Sequence, residues 1–255
     1  MENIISKKSS TFLLLPVLLA GILEASFMAR GEFLGFSADG KLAAFGQYWV
    51  QDGSGFPEAH LQVLNVADGT VLRSFDSIME NEIEYIPPWE CSASANPAWR
   101  EVIEAAEPLL DSLEITGTRK GMHCLCRLPS DLEVDRHHAV FATVMFSPDY
   151  PGPVYELTLS PEPVPLDTYP EWIHMFPPPV LLRAVVRDEA EEVVFNHWET
   201  EPVEGFQYVS DYRLGDVFIY GDSAMVMILG TVEPGFEGND SRYRTLTGLI
   251  RRHGF

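Results

Sequence analysis

Basic residues are scarce in this chain. Lys and Arg number 17 against 38 Asp and Glu, for a formal net charge of −21. A surface of that sign repels phosphate backbones and anionic lipid headgroups, which argues against nucleic-acid binding. Cysteine is sparse too, with only Cys91, Cys124 and Cys126. Beyond the first 25 residues no apolar run approaches the ~20 residues a membrane-spanning helix needs. There is no phosphate loop, no dinucleotide fingerprint and no Gly-x-Ser-x-Gly elbow. His137, His138, His174 and His197 have no zinc-type spacing with Glu or Cys.

The N-terminus is where apolar residues do concentrate. Lys7 and Lys8 precede the run Phe12–Leu23, and small residues follow at Ala25, Ser26 and Ala29. A short positive segment, a short apolar core and small residues make a secretory signal peptide over residues 1–25, with cleavage expected after Ala25. Pro16 and Gly21 weaken the run as a permanent helix. The first cysteine is Cys91, so no lipid-anchoring cysteine follows the run. Export places the remaining chain in a secreted or periplasmic location, with a protein or small-molecule partner outside the cytoplasm. Lys7 and Lys8 cancel Glu2 and Glu24, so the exported part keeps the whole negative charge, which suits solubility.

A hydrophobic content of 46% excludes a disordered chain. The pattern is mostly β. Phe33–Phe36, Lys41–Trp49, His60–Val66 and Thr70–Phe75 read as four strands. Asp39-Gly40 and Asp68-Gly69 mark tight turns, where glycine supplies positive φ. These four strands predict an antiparallel meander. Phe36-Ser-x-Asp-Gly-Lys-x-x-Ala-Phe45, with Leu61–Val66 and Asp68-Gly-Thr70, resembles a blade of the WD40-like repeat in TolB-type β-propellers. Further copies of the signature are missing, apart from a faint echo at Phe146-Ser-Pro-Asp149.

One helix is predicted around 97–113. Asn96 can cap it and Pro97 suits its first position. Trp99, Val102, Ile103, Ala106, Leu110 and Leu113 recur at helical spacing. Pro108 is expected to kink or divide it. Strand patterns resume at Met122–Leu128, Ala139–Phe146, Val154–Leu159, Val180–Val186, Glu192–Trp198, Phe206–Arg213, Val217–Tyr220, Ala224–Val232 and Tyr243–Ile250. The run Ala224–Leu229 is apolar throughout, which predicts burial on both faces. A Pro-rich stretch over 160–179 is either a linker or an ordered crossing loop.

Several of these features occur together in one known family. The exported N-terminus, Gly35-Phe-Ser-x-Asp-Gly40, Gln51-Asp-Gly-Ser-Gly-Phe-Pro57, the central helix and Pro234-Gly-Phe-Glu-Gly-x-Asp-x-Arg-Tyr243…Thr247-Gly248 resemble the secreted bacterial proteins grouped as domain of unknown function 2259. That resemblance implies export and a single domain of conserved length. It implies no activity and no catalytic residues.

Candidate chemistry lies in two loops and two arginines. Asp52-Gly-Ser-Gly-Phe-Pro-Glu58 and Pro234-Gly-Phe-Glu-Gly-Asn-Asp240 each hold glycine beside phenylalanine and carboxylates. Asp52, Glu58, Glu237 and Asp240 offer hard oxygen ligands for Ca²⁺, without EF-hand spacing. The same loops read as backbone devices anchored by Phe56 and Phe236. Arg242 and Arg244 share one face of a strand. They can grip a carboxylate ligand or pair with neighbouring acidic side chains. Export makes a disulfide admissible, most simply Cys91 with Cys124 or Cys126. Met122-His123-Cys124-x-Cys126 has soft-metal donors, but on a regular strand His123 faces away from the two thiols. Gly221-Asp-Ser223 is ordinary turn chemistry between two strands.

The sequence therefore predicts a mainly β protein with one central helix, propeller-like or a sandwich. Residues 26–255 are expected to form one domain, with 160–179 as its weakest point. The expected function is a non-catalytic binding or interaction module, with Asp52, Glu237, Asp240, Arg242 and Arg244 as binding residues. The alternative is an envelope hydrolase using paired carboxylates. Neither reading requires a cofactor.

Overall fold

The structure is a computed structural model. It describes residues 28–51, 53–80, 86–87, 90–127, 135–143, 152–165, 177–199, 208–221, 223–234 and 239–250. The expected signal peptide, Asp52, Glu237, His174, the Phe146–Asp149 echo and most of the Pro-rich stretch lie outside these residues.

Among the described residues the strands form three four-stranded antiparallel sheets. Sheet I is the expected meander: β1 (Arg30–Phe36), β2 (Leu42–Val50), β3 (Pro57–Asn65) and β4 (Val71–Ile78), in that order. Sheet II has the order β12-β11-β10-β5, from β5 (Met122–Leu125), β10 (Asp211–Tyr220), β11 (Ala224–Pro234) and β12 (Asn239–Leu249). Sheet III is a second meander of β6 (His138–Ala142), β7 (Val154–Pro163), β8 (Val180–Asp188) and β9 (Val193–Trp198).

The turns of sheet I follow the chemistry of their Asp-Gly pairs. Gly40 and Gly69 adopt φ of 70° and 73°. Asp39 Oδ1 accepts from the Lys41 N–H at 3.1 Å, and Asp68 Oδ1 from the Thr70 N–H at 2.9 Å. The Lys41 ammonium, with its backbone N–H and the Ser37 hydroxyl, holds the Asp39 carboxyl down to about 2.

The layers stack through three cores. Ala44, Tyr48, Ala59, Leu61 and Val63 on one face of sheet I meet the helix α1 (Pro97–Ser112). Phe33, Phe36, Ala43 and Phe45 on its other face meet Phe218, Val226 and Ile228 of sheet II. The opposite face of sheet II, with Met225, Met227 and Leu229, packs on Leu157, Leu182 and Val186 of sheet III. The order is helix, sheet I, sheet II, sheet III. Sheet II is thus covered on both sides, which is why Ala224–Leu229 carries no polar residue. Full burial of each such side chain contributes about 1.5–3 kcal/mol.

α1 begins where its cap dictates. Asn96, fully buried, accepts the Trp99 N–H on Oδ1 at 2.9 Å. Its Nδ2 donates to the Trp49 carbonyl at 3.0 Å, tying the helix start to β2. The expected break at Pro108 does not occur; the helix runs unbroken to Ser112. Pro108 and Glu104, whose carbonyl loses its intrahelical donor, are both exposed, so water can take the bond.

Three boundaries differ from the sequence pattern. Phe206–Arg213 and Val217–Tyr220 are not separate strands, because β10 continues through a register shift between Leu214 and Asp216. Asn239 and Asp240 belong to β12 rather than to a loop, opposite Pro234 and Glu233. The Pro-rich stretch starts inside β7, where Pro161 and Pro163 face Leu182 and Val180. The β6 register ends at His138–Thr158, so these prolines sit where one side of β7 has no ladder to break.

No disulfide joins Cys91, Cys124 and Cys126, contrary to the expectation from export. Cys91 packs in the helix-side core of sheet I and Cys124 against the core between sheets II and III. Burial pushes both thiols up, Cys124 to about 11. No described helix is long and apolar enough to cross a membrane.

Candidate functional site

Strand alternation decides which side chains sheet I turns toward sheet II. Ala59, Leu61 and Val63 of β3 pack toward α1, so Glu58 and His60 face the other way. Register extends that set across three strands. His60 lies between Gln47 and Asp76, and Trp49 lies opposite Glu58. His60 Nδ1 and Asp76 Oδ1 are in hydrogen-bond contact. Gln47, Trp49, Glu58, His60 and Asp76 line one wall of a cleft of about 360 Å³.

The opposing wall comes from sheet II. It carries Thr231 and Glu233 of β11 and Arg242, Tyr243 and Arg244 of β12. β12 is an edge strand, so its long side chains reach around it. Arg242 lies over the Trp49 ring at 4.7 Å and places Nε 3.6 Å from Glu233 Oε2. Glu233 is buried and also accepts the Thr231 hydroxyl at 2.9 Å. Burial pushes its carboxyl above the usual range, against the pull of Arg242 and Thr231.

Arg244 reaches the other way, toward sheet III. Its Nη1 donates to Tyr212 Oη at 2.8 Å and to Glu199 Oε1. Glu199 follows β9 directly and accepts the Leu182 N–H on Oε2 at 2.8 Å. Tyr212 is fully buried, and burial drives its hydroxyl far above the ordinary phenol range. His197 sits nearby, its charge disfavoured by burial and by Arg244 against the opposing pull of Glu199. Of the two sequence readings for the arginines, pairing with acidic neighbours is what the geometry contains.

The predicted binding residues separate. Arg242 and Arg244 meet in the cleft, and Glu58 joins them from the start of β3, next to the glycine-rich β2–β3 loop. That loop is closed on itself: Gln51 Nε2 donates to Glu58 Oε2 at 2.7 Å, and Ser54 Oγ to Gln51 Oε1 at 2.8 Å. Asp240 faces Glu233 across the ladder and does not line the cleft. Asp52 and Glu237 lie outside the described residues. Among the described residues, Glu58 and Asp240 do not belong to a grouping of metal-donor atoms. Sequence reasoning missed Gln47, Trp49, His60, Asp76 and Glu233. The signal for His60 was present: in His60-Leu-Gln-Val63 the polar residues alternate with the buried ones.

Comparison with curated proteins and with solved structures finds no match. A family model does match, over residues 44–172. The matched span holds the sheet I wall of the cleft, α1 and the strands β5 to β7, and stops before the sheet II wall. Its family is described as a predicted secreted protein, which agrees with the secreted location expected from the sequence. The match covers half of the chain, and the chain belongs to this family of secreted proteins, domain of unknown function 2259.

Proposed function

We propose that this secreted chain is a non-catalytic binding module, and that its ligand is a small zwitterionic molecule of amino-acid size. One observation carries the reading: the Arg242 guanidinium on one wall of the cleft stands across from the carboxylates of Glu58 and Asp76 on the other. Arg242 offers a carboxylate a fork-shaped donor, and Arg244, turned to Glu199 and Tyr212, adds positive charge behind it. Glu58 and Asp76, the latter with His60, offer acceptors to an ammonium group. A volume near 360 Å³ falls at the small end of ligand sites. Trp49 is almost fully buried beneath Arg242, so it orients the guanidinium rather than presenting a stacking face.

A second reading has one observation in its favour. Glu233 is a buried carboxyl with a raised pKa, in a cleft that also holds Glu58 and Asp76. A carboxyl whose proton burial favours, close to further carboxyl groups, is the arrangement of a glycoside hydrolase. Against it, Glu233 is engaged by Arg242 and Thr231, which leaves it poorly placed to give a proton to a substrate.

Calorimetric titration of the mature protein with free amino acids and with neutral monosaccharides separates the two. The binding reading expects amino-acid uptake that weakens at least about tenfold in Arg242→Ala, for loss of a charge-assisted pair, and in Asp76→Asn. Equal binding of neutral sugars, or amino-acid binding untouched by Arg242→Ala, would sink it. Glycoside turnover that disappears in Glu233→Gln would put the hydrolase in its place.

A further inference from the structure

Sheet II carries a second polar cluster, outside the cleft. His123, Cys126 and Asp216 each offer one donor atom, and the three atoms lie within 4.8 Å of one another. His123 Nε2 is 2.7 Å from Asp216 Oδ1. On a regular strand His123 and Cys126, three residues apart, point to opposite faces.

The strands here are not regular. Phe218 faces His123 while Val217 faces Leu125, so Cys124 is an extra residue in β5. A bulge of one residue reverses the alternation beyond it. Cys124 and Leu125 both pack toward sheet III, and Cys126 returns to the side of His123. β10 has its own irregularity: Leu214 faces Leu229, Asp216 faces Ile228, and Gly215 is the extra residue. Leu214 and Val217 both turn toward sheet III. Asp216 is left on the opposite side with Phe218, on whose ring His123 stacks at 4.3 Å. Two bulges in neighbouring strands thus aim three donors from 93 residues of sequence separation at one point.

We propose that His123, Cys126 and Asp216 form a binding site for a divalent transition metal, with zinc the best fit. A thiolate and an imidazole select a borderline-soft ion over calcium or magnesium, which take oxygen ligands. Three protein donors leave one tetrahedral position for water or another ligand. Tetrahedral zinc sets its donors about 3.3–3.7 Å apart, so no edge of the triad, all within 4.8 Å, has to close by more than about 1.5 Å, while the 2.7 Å His123–Asp216 contact opens by roughly half an ångström or more. His123 and Cys126 are exposed and Asp216 is half-buried, which gives an ion direct access and the side chains room to adjust. The Phe218 ring fixes the plane of the imidazole before the ion arrives. The site does not depend on the zwitterion reading, and its residues do not overlap the walls of that cleft.

The test is titration of the reduced, metal-free protein with Co²⁺ and then Zn²⁺. One equivalent of Co²⁺ is expected to give a thiolate-to-metal charge-transfer band, which Zn²⁺ abolishes by displacement. His123→Ala, Cys126→Ser and Asp216→Asn should each weaken Zn²⁺ binding by at least about tenfold, whereas Cys124→Ser and Cys91→Ser leave it unchanged. No stoichiometric uptake, or a band that survives Cys126→Ser, overturns the proposal. Alkylation of the unmutated protein gives a check that no variant's folding can disturb. Zn²⁺ should slow iodoacetamide modification of Cys126 and not of Cys124; equal rates at Cys126 with and without Zn²⁺ also overturn it.

Discussion

Gln47 and Tyr243 hold sheets I and II together through both ends of one amide. Gln47 Nε2 donates to the Tyr243 carbonyl at 3.0 Å, and the Tyr243 N–H donates to Gln47 Oε1 at 2.8 Å. A single buried side chain thus substitutes for a backbone partner that the edge strand β12 lacks. Gln47→Leu removes both bonds and leaves a backbone donor and acceptor unsatisfied. The expected loss is about 2–4 kcal/mol. It would be measured as a lower denaturant midpoint with unchanged slope. Gln47→Glu should behave similarly at neutral pH, because an ionised carboxylate cannot donate to the Tyr243 carbonyl. A Gln47→Leu variant as stable as the parent would remove this link from the account of how the two sheets are joined.

Arg244, Glu199 and Tyr212 form the corresponding link between sheets II and III. Glu199 is buried and takes the Leu182 N–H as well as the guanidinium. Glu199→Leu strands a buried N–H, a buried hydroxyl and a charge at once. Breaking a buried ion pair from one side costs about 3–5 kcal/mol. The lower end is expected here, because a third of the Arg244 side chain remains exposed. Arg244→Met leaves Glu199 uncompensated and should cost a comparable amount. The double variant should be more stable than the sum of the two losses predicts, since it removes both charges. Strict additivity in that cycle would mean the two side chains do not interact.

Much of this architecture was legible before the structure, and the reasons are local. Asp39-Gly40 and Asp68-Gly69 define hairpins because their turn geometry depends on neighbouring residues alone. The apolar run Ala224–Leu229 announces a strand covered on both faces. The helix announces itself through Asn96, Pro97 and its periodic apolar stripe, though solvent exposure at Pro108 lets it run where a proline rule predicts a break. The cleft was legible only in part. Arg242 and Arg244 stand out in so acidic a chain, but Asp76 and Gln47 become their neighbours only through cross-strand register and sheet stacking. The His123–Cys126–Asp216 cluster was hidden for a sharper reason. Alternation assigns His123 and Cys126 to opposite faces, and the one-residue bulge that reunites them leaves no mark in a single sequence. The absence of a disulfide has the same kind of origin, since Cys91 and Cys124 are sorted into different cores by sheet order.

The raised pKa of Glu233 has a defined consequence for stability against pH. Burial favours the neutral carboxyl, so the folded chain holds this proton to a higher pH than the unfolded chain, whose Glu titrates near 4.5. Between those two values the folded state binds more protons, and stability falls as pH rises. The contribution of Glu233 is therefore fullest below pH 4.5 and is lost as pH climbs through the folded-state value. Arg242 and Thr231 oppose this without reversing it. Glu233→Gln keeps the shape and the Thr231 contact but cannot ionise. Melting temperatures of the parent and of Glu233→Gln, compared from pH 4 to pH 8, should diverge in favour of the variant as pH rises. A constant difference across that range would mean Glu233 titrates normally. A divergence in the opposite direction would mean that the Arg242 ion pair outweighs desolvation in the cleft, and that the carboxylate is ionised in both states at neutral pH.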